Sequence, residues 1–110
     1  MEIYFRKKNI KIDAKKARYF ERGVGLMFRT RETRNLLFEF EKDSNTELTS
    51  LFVFFSFLVI WLDAKNKVID FKIVKPFIFS IEAKKKFRKF LEIPINKKNE
   101  RIVDLFVKKS

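Results

Sequence analysis

Cysteine, histidine and glutamine are absent from the 110 residues. Without cysteine there is no disulfide, no thiol nucleophile and no ordinary zinc finger. Without histidine there is no Ser-His triad and no imidazole general base. Glycine and proline are scarce, two of each, so the chain holds no flexible linker and no low-complexity segment. It has no internal repeat. The longest apolar run, Leu51–Leu62, is broken by Ser56 and falls short of the roughly 18–20 residues that a spanning helix needs. It is built from Phe, Val, Ile and Trp, which favour strands. The N-terminus, Met-Glu-Ile-Tyr-Phe-Arg-Lys-Lys, carries charge early and has no apolar h-region; the expectation is a cytoplasmic chain with no signal peptide and no membrane span.

What is present is apolar surface and positive charge. Apolar residues make up 46% of the chain, with 15 phenylalanines among them, enough for the core of one domain. The net charge is +12, which favours polyanionic partners without naming one. It is unevenly spread: residues 1–40 carry +6, residues 41–70 carry −2 and residues 71–110 carry +8. The middle therefore reads as core and both flanks as basic surface.

Short β-like runs dominate. Glu2–Phe5 and Ile10–Asp13 flank a turn at Lys8-Asn9. Leu36–Phe40 alternates with period two, and residues 41–47 read as a loop by composition. The apolar run is too long for one strand, so we divide it at Ser56 into Thr49–Phe55 and Phe57–Leu62. The hairpin signal around Asp63-Ala64-Lys65-Asn66 is clear, because Asp63 accepts backbone hydrogen bonds and Asn66 tolerates the left-handed conformation. Val68–Lys75 follows, and Pro76 ends its ladder. Asp13 is placed to cap a short helix over Ala14–Arg22, closed by Gly23 or Gly25. A helical turn at 82–86 precedes a strand at 87–93, and Ile102–Val107 reads as a last strand. The pattern predicts a mainly β fold, an antiparallel sandwich or barrel with one short N-terminal helix and a second helical turn.

Several pieces match a known family. Glu21-Arg22-Gly23-Val24-Gly25-Leu26-Met27-Phe28-Arg29 resembles the signature "ER-x-x-GLMFR". Leu36–Phe40 is similar to the "MLF-x-F" strand that follows it. Phe55–Asp63 with Lys67-Val68-Ile69 resembles "FPIDVIFLD…KVV", and Lys75-Pro76 and Leu91-Glu92-Ile93-Pro94 match the "KP" and "LELP" elements. The chain thus resembles the domain of unknown function 192 family (uncharacterised protein family 0127) in its archaeal style, over about residues 10–107. The resemblance implies a jelly-roll-like sandwich with short helices and carries no established activity. The chain departs from the family pattern at several signature positions: Arg18 stands for a hydroxyl residue, Thr49, Ser50 and Phe54 for a His or aromatic-polar cluster, Ser56 for the proline, Leu58 for the aspartate and Asn96 for a glycine.

Three functional readings follow, none of them needing a cofactor or a metal. In the first, a non-enzymatic domain binds nucleic acid or an acidic protein through the densest basic cluster, Lys84, Lys85, Lys86, Arg88 and Lys89. Phe87 and Phe90 interleave there as candidate stacking rings. In the second, a small-ligand pocket or a degenerate enzyme site lies near the signature, with Arg22 and Arg29 as an anion-binding fork beside Glu21, close to Phe54–Phe57. The simpler reading of those arginines is an ion pair pinning the loop, and that of Gly23 and Gly25 is a helix cap and turn. In the third, the phenylalanine load covers a homo-oligomer interface. Carboxylate-only chemistry is also open at Asp63 and Asp70, or at Glu39, Glu41 and Asp43; the plainer reading makes Asp63 a turn cap and Asp70 a solvated residue.

Overall fold

A computed structural model describes residues 1–17 and 25–107. Among these residues seven strands precede a C-terminal helix: β1 (Glu2–Phe5), β2 (Lys8–Lys11), β3 (Lys15–Lys16), β4 (Leu36–Ser44), β5 (Phe57–Leu62), β6 (Val68–Val74), β7 (Phe87–Pro94), then a 3-10 turn (Lys97–Asn99) running into α1 (Glu100–Val107). Strands β1 and β2 form a hairpin of their own. The other five make one sheet in the order β3-β4-β7-β5-β6, antiparallel except for the short β3–β4 pairing.

The uninterrupted apolar run of β5 has a direct cause. Every one of its residues is buried, because both faces of the sheet are covered. Phe57, Val59 and Trp61 point into one core, and Leu58, Ile60 and Leu62 into another. The second core is closed by the β1–β2 hairpin and α1, which contribute Ile3, Ile10, Val103 and Phe106. The first is closed by the segments around residues 25–29 and 48–55 and by Ile81. The molecule is therefore mainly β, with a hairpin and a helix layered on a five-stranded sheet.

Several expectations hold. The strands at Leu36–Phe40, Phe57–Leu62 and 87–93 form, and β6 ends before Pro76. At the predicted hairpin, Asp63 Oδ1 accepts from the backbone N–H groups of Lys65 (2.8 Å) and Lys67 (2.9 Å), and Asn66 is left-handed at φ 65°.

Others are corrected. The N-terminal helix does not begin at Ala14: Lys15–Lys16 is extended, and the N–H groups of Lys15 and Ala17 donate to Asn35 and Leu37 carbonyls (2.8 Å each). The rest of that expected helix, Arg18–Arg22, lies outside the described residues. Among the described residues the α-helix is at the other end. Ile102–Val107 is helical because its burial has a period of three to four: Val103 and Phe106 are buried while Leu105 and Val107 face solvent. Asn96 caps the preceding turn, its Oδ1 accepting from Asn99 N (2.9 Å). Phe106 stacks on Phe5 at 4.4 Å between centroids, which fixes the helix against the hairpin.

No helical turn forms at 82–86, since the Lys84 N–H is drawn to Asp70 Oδ2 (3.0 Å). The first hairpin turns at Arg6-Lys7, not Lys8-Asn9. Pairing Ile3 with Ile10 sets Phe5 opposite Lys8, and the two-residue loop takes positive φ at both positions (49° and 65°). Thr49–Phe55 is not a strand. Ser50 is buried and its Oγ donates to Lys75 O (2.7 Å) while accepting from Ile78 N (2.6 Å), so the segment is turned and tied to the 75–78 loop. Strand β4 also runs on through Ser44, into the stretch expected to be loop.

Candidate functional site

The signature turn, the β4–β7 ladder and the 46–53 segment enclose a cavity of about 240 Å³. Its walls are mainly apolar, from Leu26, Met27, Phe38, Phe40, Leu48, Val53 and Phe90, and its floor carries Glu92. Strand β7 lies between β4 and β5, and Glu92 stands opposite Leu36 on one side and Val59 on the other. It thus projects from the middle of the sheet into the aromatic core. Only 6% of the residue is exposed. Its Oε1 is buried with no hydrogen-bond partner among the described residues. An ionised carboxylate there would lose its hydration without compensation, and burial pushes the Glu92 carboxyl up to about 8. At neutral pH it mostly holds its proton.

Gly25 makes room for that carboxyl. Its φ is +49°, and a Cβ built on it would meet Glu92 Oε1 at 2.8 Å. Both the left-handed backbone and the close approach call for glycine. Arg29 fastens the turn from behind, its Nε donating to Gly25 O at 3.0 Å. That contact is a hydrogen bond to a backbone carbonyl, whereas the simpler reading expects an ion pair. The proposed companions Arg22 and Glu21 lie outside the described residues.

Carboxylates also mark the rim. Glu39 lies 3.1 Å from Lys16 Nζ and 3.8 Å from Lys89 Nζ, so it is neutralised in place. Glu47 is held below the ordinary carboxylate range by a hydrogen bond with Glu82 and another from Ser80. Glu82 is raised by the same bond and by the negative charge of Glu47. Thr46 and Thr49 complete the edge.

The basic cluster is split up by the fold. Lys84, Lys85 and Lys86 are exposed on a bend. Arg88 Nε is 3.3 Å from Asp43 Oδ1, and Lys89 Nζ donates to Asn66 Oδ1 at 2.8 Å. Phe87 is 1% exposed and packs edge-on against Phe40 and Phe90, while Phe90 stacks on Phe38 at 4.5 Å. Neither ring is presented for stacking on a base. Asp70 is not solvated as expected: it is buried, and its carboxylate accepts from the Phe71 and Lys84 N–H groups. Asp63 is engaged in its turn, as the plainer reading has it. Among the described residues no group of three acidic side chains is arranged to hold a metal ion, and no helix is long and apolar enough to cross a membrane.

Glu92 is the residue that reasoning from sequence passes over. Its signal is a lone carboxylate between Leu91 and Ile93 in a strand with no polar face. Such a residue is either paired inside or kept for a ligand.

The sequence model of the DUF192 family, described as "Uncharacterized ACR", matches residues 3–104. No curated protein matches the chain. Two solved structures share the fold. One, a protein of unknown function from Novosphingobium aromaticivorans, superposes with a TM-score of 0.73 at 16% identity, covering 97% of this chain and 77% of that one. The other, from Sinorhizobium meliloti and described as a "putative transcription regulator", has a TM-score of 0.73 at 14% identity, covering 93% of this chain and 82% of that one.

Proposed function

The chain belongs to the DUF192 family, and from that premise we propose that it is a binding domain whose cavity takes one small, largely apolar molecule anchored on Glu92. The observation that carries this reading is the buried Glu92 oxygen that has no hydrogen-bond partner among the described residues, beside a glycine that yields it space. A buried polar atom left unpaired costs about 1–3 kcal/mol. A ligand bearing one hydrogen-bonding group would recover that cost and fill the cavity. Size sets the class of molecule. A dry cavity of about 150 Å³ holds benzene, so about 240 Å³ suits one ring with a substituent. The anchor proposed is Glu92; the expected fork of Arg22 and Arg29 beside Glu21 is not used for it, since Arg22 and Glu21 lie outside the described residues.

The test adds phenol, benzylamine and benzamide in turn to the protein and follows backbone amide resonances. The expected result is a saturable shift at Gly25, Leu48 and the residues flanking Glu92, at millimolar concentration or below. Glu92→Met, which keeps the volume and removes the anchor, should abolish the preference for these probes over toluene. The absence of any shift at these positions with all probes would overturn the reading.

Polyanion binding through Lys84, Lys85 and Lys86 rests on charge alone, since Phe87 is in the core. Nucleic-acid binding of that kind would be independent of sequence and would weaken steeply with salt.

A further inference from the structure

On the outer side of the same loops lies a second feature, independent of the cavity. Phe28 is 70% exposed, Phe54 57% and Phe79 81%, and Phe52, Phe77 and Ile78 are also solvent-facing. Four of these rings form one patch. Phe28 stacks on Phe52 at 5.2 Å, Phe54 lies 6.3 Å from Phe28, and Phe77 closes the group at 5.4 Å from Phe54 and 6.5 Å from Phe52. Three separate loops are joined to make it, by Phe28 N donating to Phe52 O (2.9 Å) and Phe77 N donating to Ser50 O (2.8 Å). Phe28, Phe52 and Phe77 each have φ of 61°, a left-handed backbone that is uncommon for a bulky side chain. The chain thus holds its rings outward in a conformation that glycine or asparagine would adopt more easily.

Contiguous exposed aromatic surface of this kind marks an interaction site, and charge identifies the partner. Residues 25–31, 49–57 and 75–79, which carry the patch, include Arg29, Arg31 and Lys75 and no carboxylate. A second copy would bring another chain of net charge +12 against these same cations. A single-stranded nucleic acid stacks its bases on ring faces, and here the inner faces of Phe28 and Phe52, nearly parallel at 18°, are taken up by one another. An anionic bilayer meets both requirements. Its interfacial region receives projecting rings without a matching shape, and its phosphates attract flanking Lys and Arg. We propose that the Phe28–Phe52–Phe54–Phe77 patch docks on an anionic lipid surface, with Arg31 and Lys75 against the headgroup phosphates.

The full chain is floated with vesicles of phosphatidylcholine alone and with about one third phosphatidylglycerol, at low and physiological salt. Binding is expected only to the anionic vesicles, weaker at higher salt. The pair Phe28→Ser and Phe54→Ser should reduce it on the order of tenfold or more with the unfolding temperature unchanged. Phe54→Trp provides a second readout: its emission should shift to the blue and be quenched by brominated acyl chains. The proposal is overturned by failure to float, by binding that the serine pair leaves unchanged, or by Trp emission insensitive to brominated lipid. It is equally overturned if the serine pair instead abolishes self-association or RNA binding while no vesicle binding occurs.

Discussion

The two faces of the central sheet are built to different standards. The face under the β1–β2 hairpin and α1 is mainly aliphatic, with Ile3, Ile10, Ile12, Leu58, Ile60, Leu62, Leu91 and Ile93 buried together. The opposite face is aromatic, with Phe38, Phe55, Phe57, Trp61, Phe87 and Phe90, and the described residues that roof it are loops. Both buried side-chain atoms without a hydrogen-bond partner among the described residues, Trp61 Nε1 and Glu92 Oε1, belong to this second face. So do the cavity, the strained phenylalanines and the exposed rings. The difference teaches a division of labour: the aliphatic face supplies stability, and the aromatic face accepts strain and unpaired groups where a ligand can meet them.

The largest effect should come from the aliphatic face. Ile60→Ala leaves a cavity between hairpin, helix and sheet and should cost about 2–5 kcal/mol, read by urea denaturation. A loss under about 1 kcal/mol would mean that this face is not the anchor.

Next comes the pH dependence of the aromatic face. Glu92 sits at about 8 in the folded chain against 4.5 for an unperturbed glutamate, so the folded state keeps a proton that the unfolded state releases. The stability this contributes is fully present below about pH 4.5 and is lost as pH rises through about 8, at roughly 1.4 kcal/mol per pH unit between them. Glu92→Gln should flatten that slope and leave the variant more stable than the parent at pH 8. Parallel slopes for the two proteins would remove the buried proton from the account.

A smaller loss, about 1–3 kcal/mol, is expected for Gly25→Ala, which strains the turn and presses a methyl on Glu92 Oε1. The same variant should no longer bind the aromatic probes. Least of all should Phe28→Asn matter to folding: the ring is exposed and its φ is positive, so a change within about 0.5 kcal/mol, or a slight gain in Tm, is expected.

The strands at Leu36–Phe40, Phe57–Leu62, Val68–Val74 and 87–93 and the Asp63 hairpin were legible from the sequence because their signals are local: apolar patterning, turn residues, and a proline just past a ladder. The family pattern was legible from the signature and the order of its later elements. What escaped depended on distant partners. The C-terminal helix shows a tail in which period two and period 3.6 both fit, and only Phe5 and Phe71, which pack on Phe106, decide between them. Thr49–Phe55 has the composition of a strand, but Ser50 is committed to the backbone of residues 75–78. The lysine cluster looks continuous in sequence, and strand β7 turns Phe87 inward and leaves Arg88 and Lys89 beside acidic or amide partners. Glu92 was hidden for the same reason. Its significance lies in what does not reach it, and no window of sequence shows that.

The most direct test follows the side-chain carboxyl carbon of Glu92 by NMR as pH is raised from 3 to 10, a span that brackets both the ordinary and the shifted value of the group. A midpoint near 8, moving when a probe enters the cavity, is the result the account requires. A midpoint near 4.5, unmoved by any probe, would contradict it.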